Sequence, residues 1–146
     1  MSKVIEIAVA QKSKGQMKSI DNVETVVGKG LVGDRHFKEN NETRCQITLI
    51  EIENINYFNK ISGTTIPPIA FRRNIITEGI KLNDLIGQEF LIGEVKVKAH
   101  DLCRPCKYLQ ESLKQKNLIK ELLLQAGLRC EILTSGKIFV DDEIKQ

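Results

Sequence analysis

Short runs of alternating apolar and polar residues recur along the chain, and only two stretches change to helical spacing. In VIEIAVA, Ile5, Ile7 and Val9 share one strand face, with Val4, Glu6, Ala8 and Ala10 on the other. That pattern predicts a strand with one face in the core and the Glu6 face at least partly exposed. CQITLI predicts another strand, with Ile47 and Leu49 on one face. Ile52, Ile55, Phe58 and Ile61 then recur every three residues and predict a short helix ending near Gly63. Pro67 and Pro68 punctuate a loop before FRRNII. QEFLIGEVKVKA predicts a hairpin turning at Gly93-Glu94, with Phe90 and Ile92 on one arm and Val95, Val97 and Ala99 on the other. From Pro105 to Ala126 the positions of Leu109, Leu113, Ile119, Leu122, Leu123 and Ala126 predict the longest helix, stopped by Gly127. Leu128, Cys130 and Ile132 alternate again, TSG turns, and Ile138 and Val140 are expected to close a second hairpin. Short strands with two inserted helices predict a mostly β fold with a few helices, a barrel rather than a doubly wound α/β sheet.

Composition narrows the class. With 146 residues and no repeat, low-complexity tract or linker, the chain reads as a single domain, 1–146. A content of 41% apolar and 28% charged residues is that of an ordinary soluble globular protein. The net charge of +3 permits an anionic small ligand. With 5% aromatics and no basic stripe interleaved with them, it argues for no nucleic acid partner. No segment approaches the roughly 18–20 apolar residues of a membrane span, so no membrane association is expected. The apolar run in MSKVIEIAVAQKSKG is too short, and broken by Glu6, for a secretory signal. The expectation is a cytoplasmic protein whose four cysteines are thiols, ligands or reactive groups rather than structural disulfides.

One stretch, VVGKGLVGDRHF, places Gly28, Gly30 and Gly33 at the G-x-G-x-x-G spacing of a dinucleotide-binding turn. That turn requires a strand before it and a helix after it. The exit, DRHFKENNETR, has one apolar residue, Phe37, and no helical period. The glycines therefore predict an irregular loop that carries Asp34, Arg35 and His36.

Chemistry concentrates in KAHDLCRPCKYL. Pro105 suits the first position of a helix, because its missing N–H would be unsatisfied there. Cys106 would then lie in the first turn, flanked by Arg104 and Lys107, where the helix dipole and both cations favour a thiolate. Cys106 is accordingly the residue expected to react. Other readings stay open at this point. Cys103 and Cys106 form a C-x-x-C that could be a redox pair, although no βαβ surrounding is predicted for it. His100, Cys103 and Cys106, completed by Cys130 or Cys45, could hold zinc. Cys45, Cys103 and Cys130 could equally be small buried apolar residues.

The order GLVGDRHF, TRCQITLIE, FRRNIITEGIKLNDLIGQEFLIGEVKV, CRPCKYL and GLRCEILTSGKIFVDDEI resembles the MOSC family, the domain at the C-terminus of molybdenum cofactor sulfurases and a small free-standing bacterial protein. The resemblance implies a mostly β MOSC barrel similar to the pyruvate kinase β-barrel domain. It also implies binding of molybdenum cofactor (molybdopterin), a pterin bearing a dithiolene and a phosphate. By position, Gly33, Asp34, Arg35 and His36 match the family's glycine-aspartate-arginine-histidine loop. Arg44 and Gln46 match its arginine-x-glutamine segment, and Arg73 and Asn74 its arginine-asparagine pair. Guanidinium groups at Arg35, Arg44, Arg72 and Arg73 suit a phosphate, and the amides of Gln46 and Asn74 suit the edge of a pterin. These arginines could instead be surface charges or pair with Asp34, Glu42 or Asp84.

For function, the resemblance implies a sulfur or cofactor carrier in which Cys106 bears a persulfide; Cys103, a second thiol beside the expected one, could release the sulfur by attacking that persulfide. Its partners would be a cysteine desulfurase and molybdenum enzymes. The alternatives are a molybdenum-dependent reductase of N-hydroxylated compounds, with Cys106 as the metal ligand, and a non-catalytic zinc or interaction module.

Overall fold

The computed structural model describes residues 2–105 and 107–146. In chain order the strands and helices are β1 (Lys3–Val9), β2 (Lys18–Ile20), β3 (Asn22–Val26), β4 (Gly30–Leu31), β5 (Ile47–Glu51), α1 (Ile52–Ser62), β6 (Ile75–Glu78), β7 (Glu89–Ile92), β8 (Val95–Leu102), α2 (Lys107–Ser112), α3 (Leu118–Glu121), β9 (Leu128–Ile132), β10 (Gly136–Phe139) and β11 (Ile144–Lys145). Short 3-10 helices lie at Pro68–Phe71 and Leu82–Leu85. One curled sheet runs β11-β7-β8-β9-β5-β6-β1-β2, and a small one runs β10-β3-β4. The fold is mostly β, as the alternation predicts. β5 and β6 are parallel, because α1 and the 3-10 helix between them return the chain to the same end of the sheet.

The two sheet faces bury different cores. Ile7, Ile47, Leu49, Ile75, Ile92, Val97, Leu128 and Ile132 join Val23, Leu31 and Ile138 of the small sheet in an inner cluster. On the other face, Ile50 and Ile76 pack against Ile55 and Phe58 of α1, Phe71, Leu109 of α2 and Leu118 of α3. Phe58 and Phe71 meet edge to face with ring centroids 6.0 Å apart. Among the described residues no helix is long and apolar enough to cross a membrane.

Several expectations hold in detail. α1 spans the predicted helix, and Gly63 caps it at φ 67°. β7 and β8 form the predicted hairpin around Gly93-Glu94. Others are corrected. In β1 a bulge between Val4 and Glu6 breaks the alternation. Val4, Ile7 and Val9 therefore face the inner cluster, while Ile5 packs against the outer one. The predicted helix from Pro105 to Ala126 is divided into α2 and α3. Lys114 takes a left-handed φ of 56°, and Lys114–Asn117 supplies no apolar side chain to bind a continuous helix to the core. Leu109, Leu118, Leu122 and Ala126 are nevertheless buried, so the apolar positions were legible even though the helix was not continuous. The second predicted hairpin does not form: β9 lies between β5 and β8, and β10 pairs with β3. As expected, the glycine segment opens no helix: it turns tightly between β3 and β4, and Gly33 then begins the irregular loop that carries Asp34, Arg35 and His36.

Gly127 joins the α3 region to β9 at φ 108°. A side chain there would overlap the Leu49 carbonyl of β5. Its own carbonyl accepts the Cys103 N–H at 2.7 Å, so it ties the segment that carries Cys103 to the sheet. Gly127→Ala is expected to lower the unfolding free energy in urea by about 3 kcal/mol or more, since both backbone strain and a steric overlap oppose it. Gly87→Ala, at φ 81° with open space around it, should cost only about 1–2 kcal/mol. Equal losses would contradict the packing described here.

Candidate functional site: two cationic clefts

The loop after the glycine turn is organised by a buried carboxylate. Asp34 Oδ1 accepts the Ala10 N–H at 3.1 Å and Arg35 Nη1 at 3.0 Å, and Oδ2 accepts the His36 N–H at 3.4 Å. Gly33, at φ 89°, supplies the left-handed turn that brings the carboxylate back under the loop. Arg35 also donates to the Arg72 carbonyl at 3.3 Å, which bridges the two arginine-bearing segments. Burial lowers the Arg35 pKa against the opposing pull of Asp34. Burial and the Arg35 cation likewise lower that of His36. His36 is therefore a neutral imidazole at neutral pH, and its 3.7 Å approach to Asp34 is not a charged pair there.

Two buried amides do the corresponding work in the sheet. Asn74 Oδ1 accepts both the N–H and the hydroxyl of Thr48 at 3.1 Å, and its Nδ2 donates to the Ala8 carbonyl at 3.1 Å. One side chain thus links β1, β5 and the start of β6. Gln46 Oε1 accepts the Ile132 N–H at 2.9 Å, and its Nε2 donates to the Asn41 carbonyl at 3.3 Å. Both residues are only 2% exposed. Their amides are engaged with the fold itself rather than presented to a ligand, and they fix where the neighbouring arginines emerge.

Those arginines line two clefts that share Arg73. The first, about 260 Å³, is lined by Lys14, Arg35, Arg72, Arg73 and Tyr108. Arg72 takes a left-handed φ of 66°, and its Nη1 donates to the Gly15 carbonyl at 2.6 Å. Its guanidinium lies 5.6 Å from the Tyr108 ring centroid, and the Lys14 ammonium lies 5.4 Å from the same centroid. Arg72 Nη2 is buried without a hydrogen-bond partner among the described residues. A buried charged donor with no acceptor is costly unless something anionic completes it.

The second cleft, about 280 Å³, is lined by His36, Arg44, Cys45, Thr48, Arg73, Cys103, Arg104 and Arg129. Two of these residues belong to a cross-strand row: Thr48 of β5 stands opposite Arg129 of β9, which stands opposite Asp101 of β8. A bulge between Ala99 and Asp101 sets that register, re-aiming Asp101 onto Arg129. Arg129 grips Asp101 through two nitrogens, and Arg44 reaches the same carboxylate at 3.0 Å. Hydrogen bonds from Arg129 and Arg44 hold the Asp101 carboxyl below its ordinary range. Arg73 donates from Nε to the Ala126 carbonyl at 2.8 Å.

The expected site residues thus fall into two groups. Arg35, His36, Arg44, Arg73 and Cys103 line the clefts, whereas Gly33, Asp34, Gln46 and Asn74 build the walls behind them. Lys14, Thr48, Asp101, Tyr108 and Arg129 belong to the site and were not singled out from the sequence. Arg129 had a usable signal: in LRCEI it alternates with the core residues Leu128, Cys130 and Ile132, so it must face away from the interior.

Cys106 lies outside the described residues. Cys103 is 4% exposed, and burial raises its thiol pKa against the pull of Arg73 and Arg129. Cys130 is fully buried in the inner core, and its pKa is raised well above the ordinary value. Cys45 is half-buried, with Glu42 3.6 Å from its sulfur, and its pKa is also raised, by burial first. His100 bonds Glu131 at 2.9 Å. Among the described residues no group of three or more His, Cys, Asp or Glu side chains could hold a metal ion.

The fold has counterparts among solved structures. Solved structures similar to this chain include YuaD from Bacillus subtilis, 22% identical, with a TM-score of 0.84 over 99% of this chain and 94% of that one. YiiM from Geobacillus stearothermophilus is 16% identical, with a TM-score of 0.78 over 99% of this chain and 74% of its own. YiiM from Escherichia coli is 17% identical, with a TM-score of 0.72 over 99% of this chain and 69% of its own. A comparison with curated proteins finds no match. The MOSC domain model matches residues 28–145, from the glycine turn to β11, and the chain belongs to the MOSC domain family.

Proposed function

We propose that the paired clefts hold molybdenum cofactor and that Cys106 carries sulfur for molybdenum enzymes. The observation that supports the reading is the buried, unpartnered Nη2 of Arg72 beside Arg73, at the junction of two cation-lined clefts. The residues fit the group: an oxyanion such as its phosphate supplies the missing acceptor, and guanidinium forks match such oxygens. In this reading Lys14, Arg72 and Arg73 hold the phosphate, and Arg44 and Arg104 face the cysteine side. Gly33, Asp34, Gln46 and Asn74 keep these cations in place. When bound, the cofactor would supply dithiolene-held molybdenum.

The chain's own chemistry lies in its thiols. A cysteine desulfurase presents a persulfide. The Cys106 thiolate attacks its terminal sulfur, an S–S bond forms at Cys106, and the donor cysteine leaves as thiolate. Sulfur release through Cys103 would form a Cys103–Cys106 disulfide and free hydrosulfide. Burial keeps the Cys103 thiol protonated at neutral pH, so this second step accelerates as pH rises towards its raised pKa.

Incubation with a cysteine desulfurase and cysteine is expected to add one sulfur at Cys106, seen by intact mass and absent in Cys106→Ser. Sustained turnover of an N-hydroxylated substrate by molybdenum-loaded protein, without sulfur uptake, would make it a reductase instead. In alkylation against pH, Cys106 should show a mid-point below about 8, with Cys103 and Cys130 reacting only above the ordinary thiol range near 8.5. Cys103 reacting first would misplace the site. Arg73→Ala removes the side chain common to both clefts. It should weaken sulfate binding, measured by calorimetry, by about 1.5–3 kcal/mol. An unchanged affinity would count against the anion site.

A further inference from the structure

The cationic cleft does not end at Cys103. On the far side of Cys103 and Arg104, which line both spaces, lies a larger groove of about 500 Å³ walled by Ile86, Leu102, Leu123 and Leu124. Its apolar walls are unusually open: Ile86, Leu123 and Leu124 are 42%, 59% and 64% exposed. The groove is also built rather than incidental. Asn83 donates to the Leu124 carbonyl at 2.8 Å, tying the turn after α3 to the segment that carries Ile86. Asp101, the acidic residue in its wall, is already neutralised by Arg44 and Arg129.

We propose that this groove takes the apolar tail of a soluble organic anion whose acidic group lies against Arg104, at the edge of the adjoining cleft. Continuity fixes the occupant's chemistry, because an apolar wall and a guanidinium cluster meet at the same two residues. Size favours a small ligand over a protein. A stable protein partner needs on the order of 1,200–2,000 Å² of buried surface, and four aliphatic side chains do not supply the core of one. A groove of about 500 Å³ lies within the range of small-ligand sites, roughly 300–1,000 Å³. The inference rests on the cleft being an anion site but not on sulfur carriage.

Alkyl phosphates distinguish these elements. Calorimetric titration of the full chain with methyl, butyl and octyl phosphate, each below its micelle concentration, should show affinity rising with chain length. Octyl phosphate should bind at least about tenfold more tightly than methyl phosphate, since each buried methylene adds to the transfer term. Octylammonium should not bind. In Leu123→Asp and Leu124→Asp, both at exposed positions, the chain-length gain should disappear while methyl phosphate binding persists. A flat series, or a gain that survives both variants, overturns the groove while leaving the anion cleft standing. Failure of methyl phosphate as well removes both. Vesicles of phosphatidylglycerol, or self-association, lost in the same two variants would assign the leucines to a membrane surface or a second copy and overturn the proposal.

Discussion

The Asn74 side chain is the tie on which the site depends. It satisfies the Thr48 N–H and hydroxyl and the Ala8 carbonyl at once, and its own N–H and carbonyl bond Thr48 and Ala8. Three strands therefore meet at a buried amide immediately after Arg72 and Arg73. Leaving those backbone groups unpaired would cost about 1–3 kcal/mol each. The left-handed Arg72 is tolerable only because its surroundings over-determine it, with Gly15, Tyr108 and Arg35 all holding it. Asp34 performs the parallel task for the loop that carries Arg35 and His36. Buried polar groups are satisfied so that several guanidinium groups can be held together, and one nitrogen, Arg72 Nη2, remains without an acceptor among the described residues.

This division of labour explains the electrostatics. Arg35 is paired with Asp34, and Arg44 and Arg129 share the single carboxylate of Asp101, while Arg72 and Arg73 have no carboxylate partner among the described residues. Cations therefore outnumber carboxylates in both clefts. A net charge of +3 is modest for the whole chain, yet the fold gathers its arginines around two adjoining clefts. Steering of an anion follows from that concentration rather than from the total.

Much of the fold was legible in the sequence, because alternation and turn residues are local. The β7–β8 hairpin, α1 with its Gly63 cap and the inward faces of β5 and β9 follow from residues close in the chain. What sequence reading missed was non-local. The bulges in β1 and β8 change the phase of a strand without any residue that announces them, and β10 leaves β9 for β3 through pairing across the chain. At the site, the loops with Arg35, Arg44 and Arg73 were legible, and all three line the clefts. The roles of Gln46 and Asn74 were not, since an amide reads the same whether it meets a ligand or a backbone. Asp101 acquires its role only through a bulge, and Tyr108 only through two cations distant in sequence.

The central claim is that the junction of the clefts is built for an anionic pterin. The direct measurement is retention of molybdenum cofactor by the purified chain after gel filtration, quantified as oxidised-pterin fluorescence per protein. The account predicts near one pterin per chain, falling with added salt and lost in a folded Arg72→Ala, Arg73→Ala double variant. No retention by the folded wild type, or equal retention by the double variant, would contradict it.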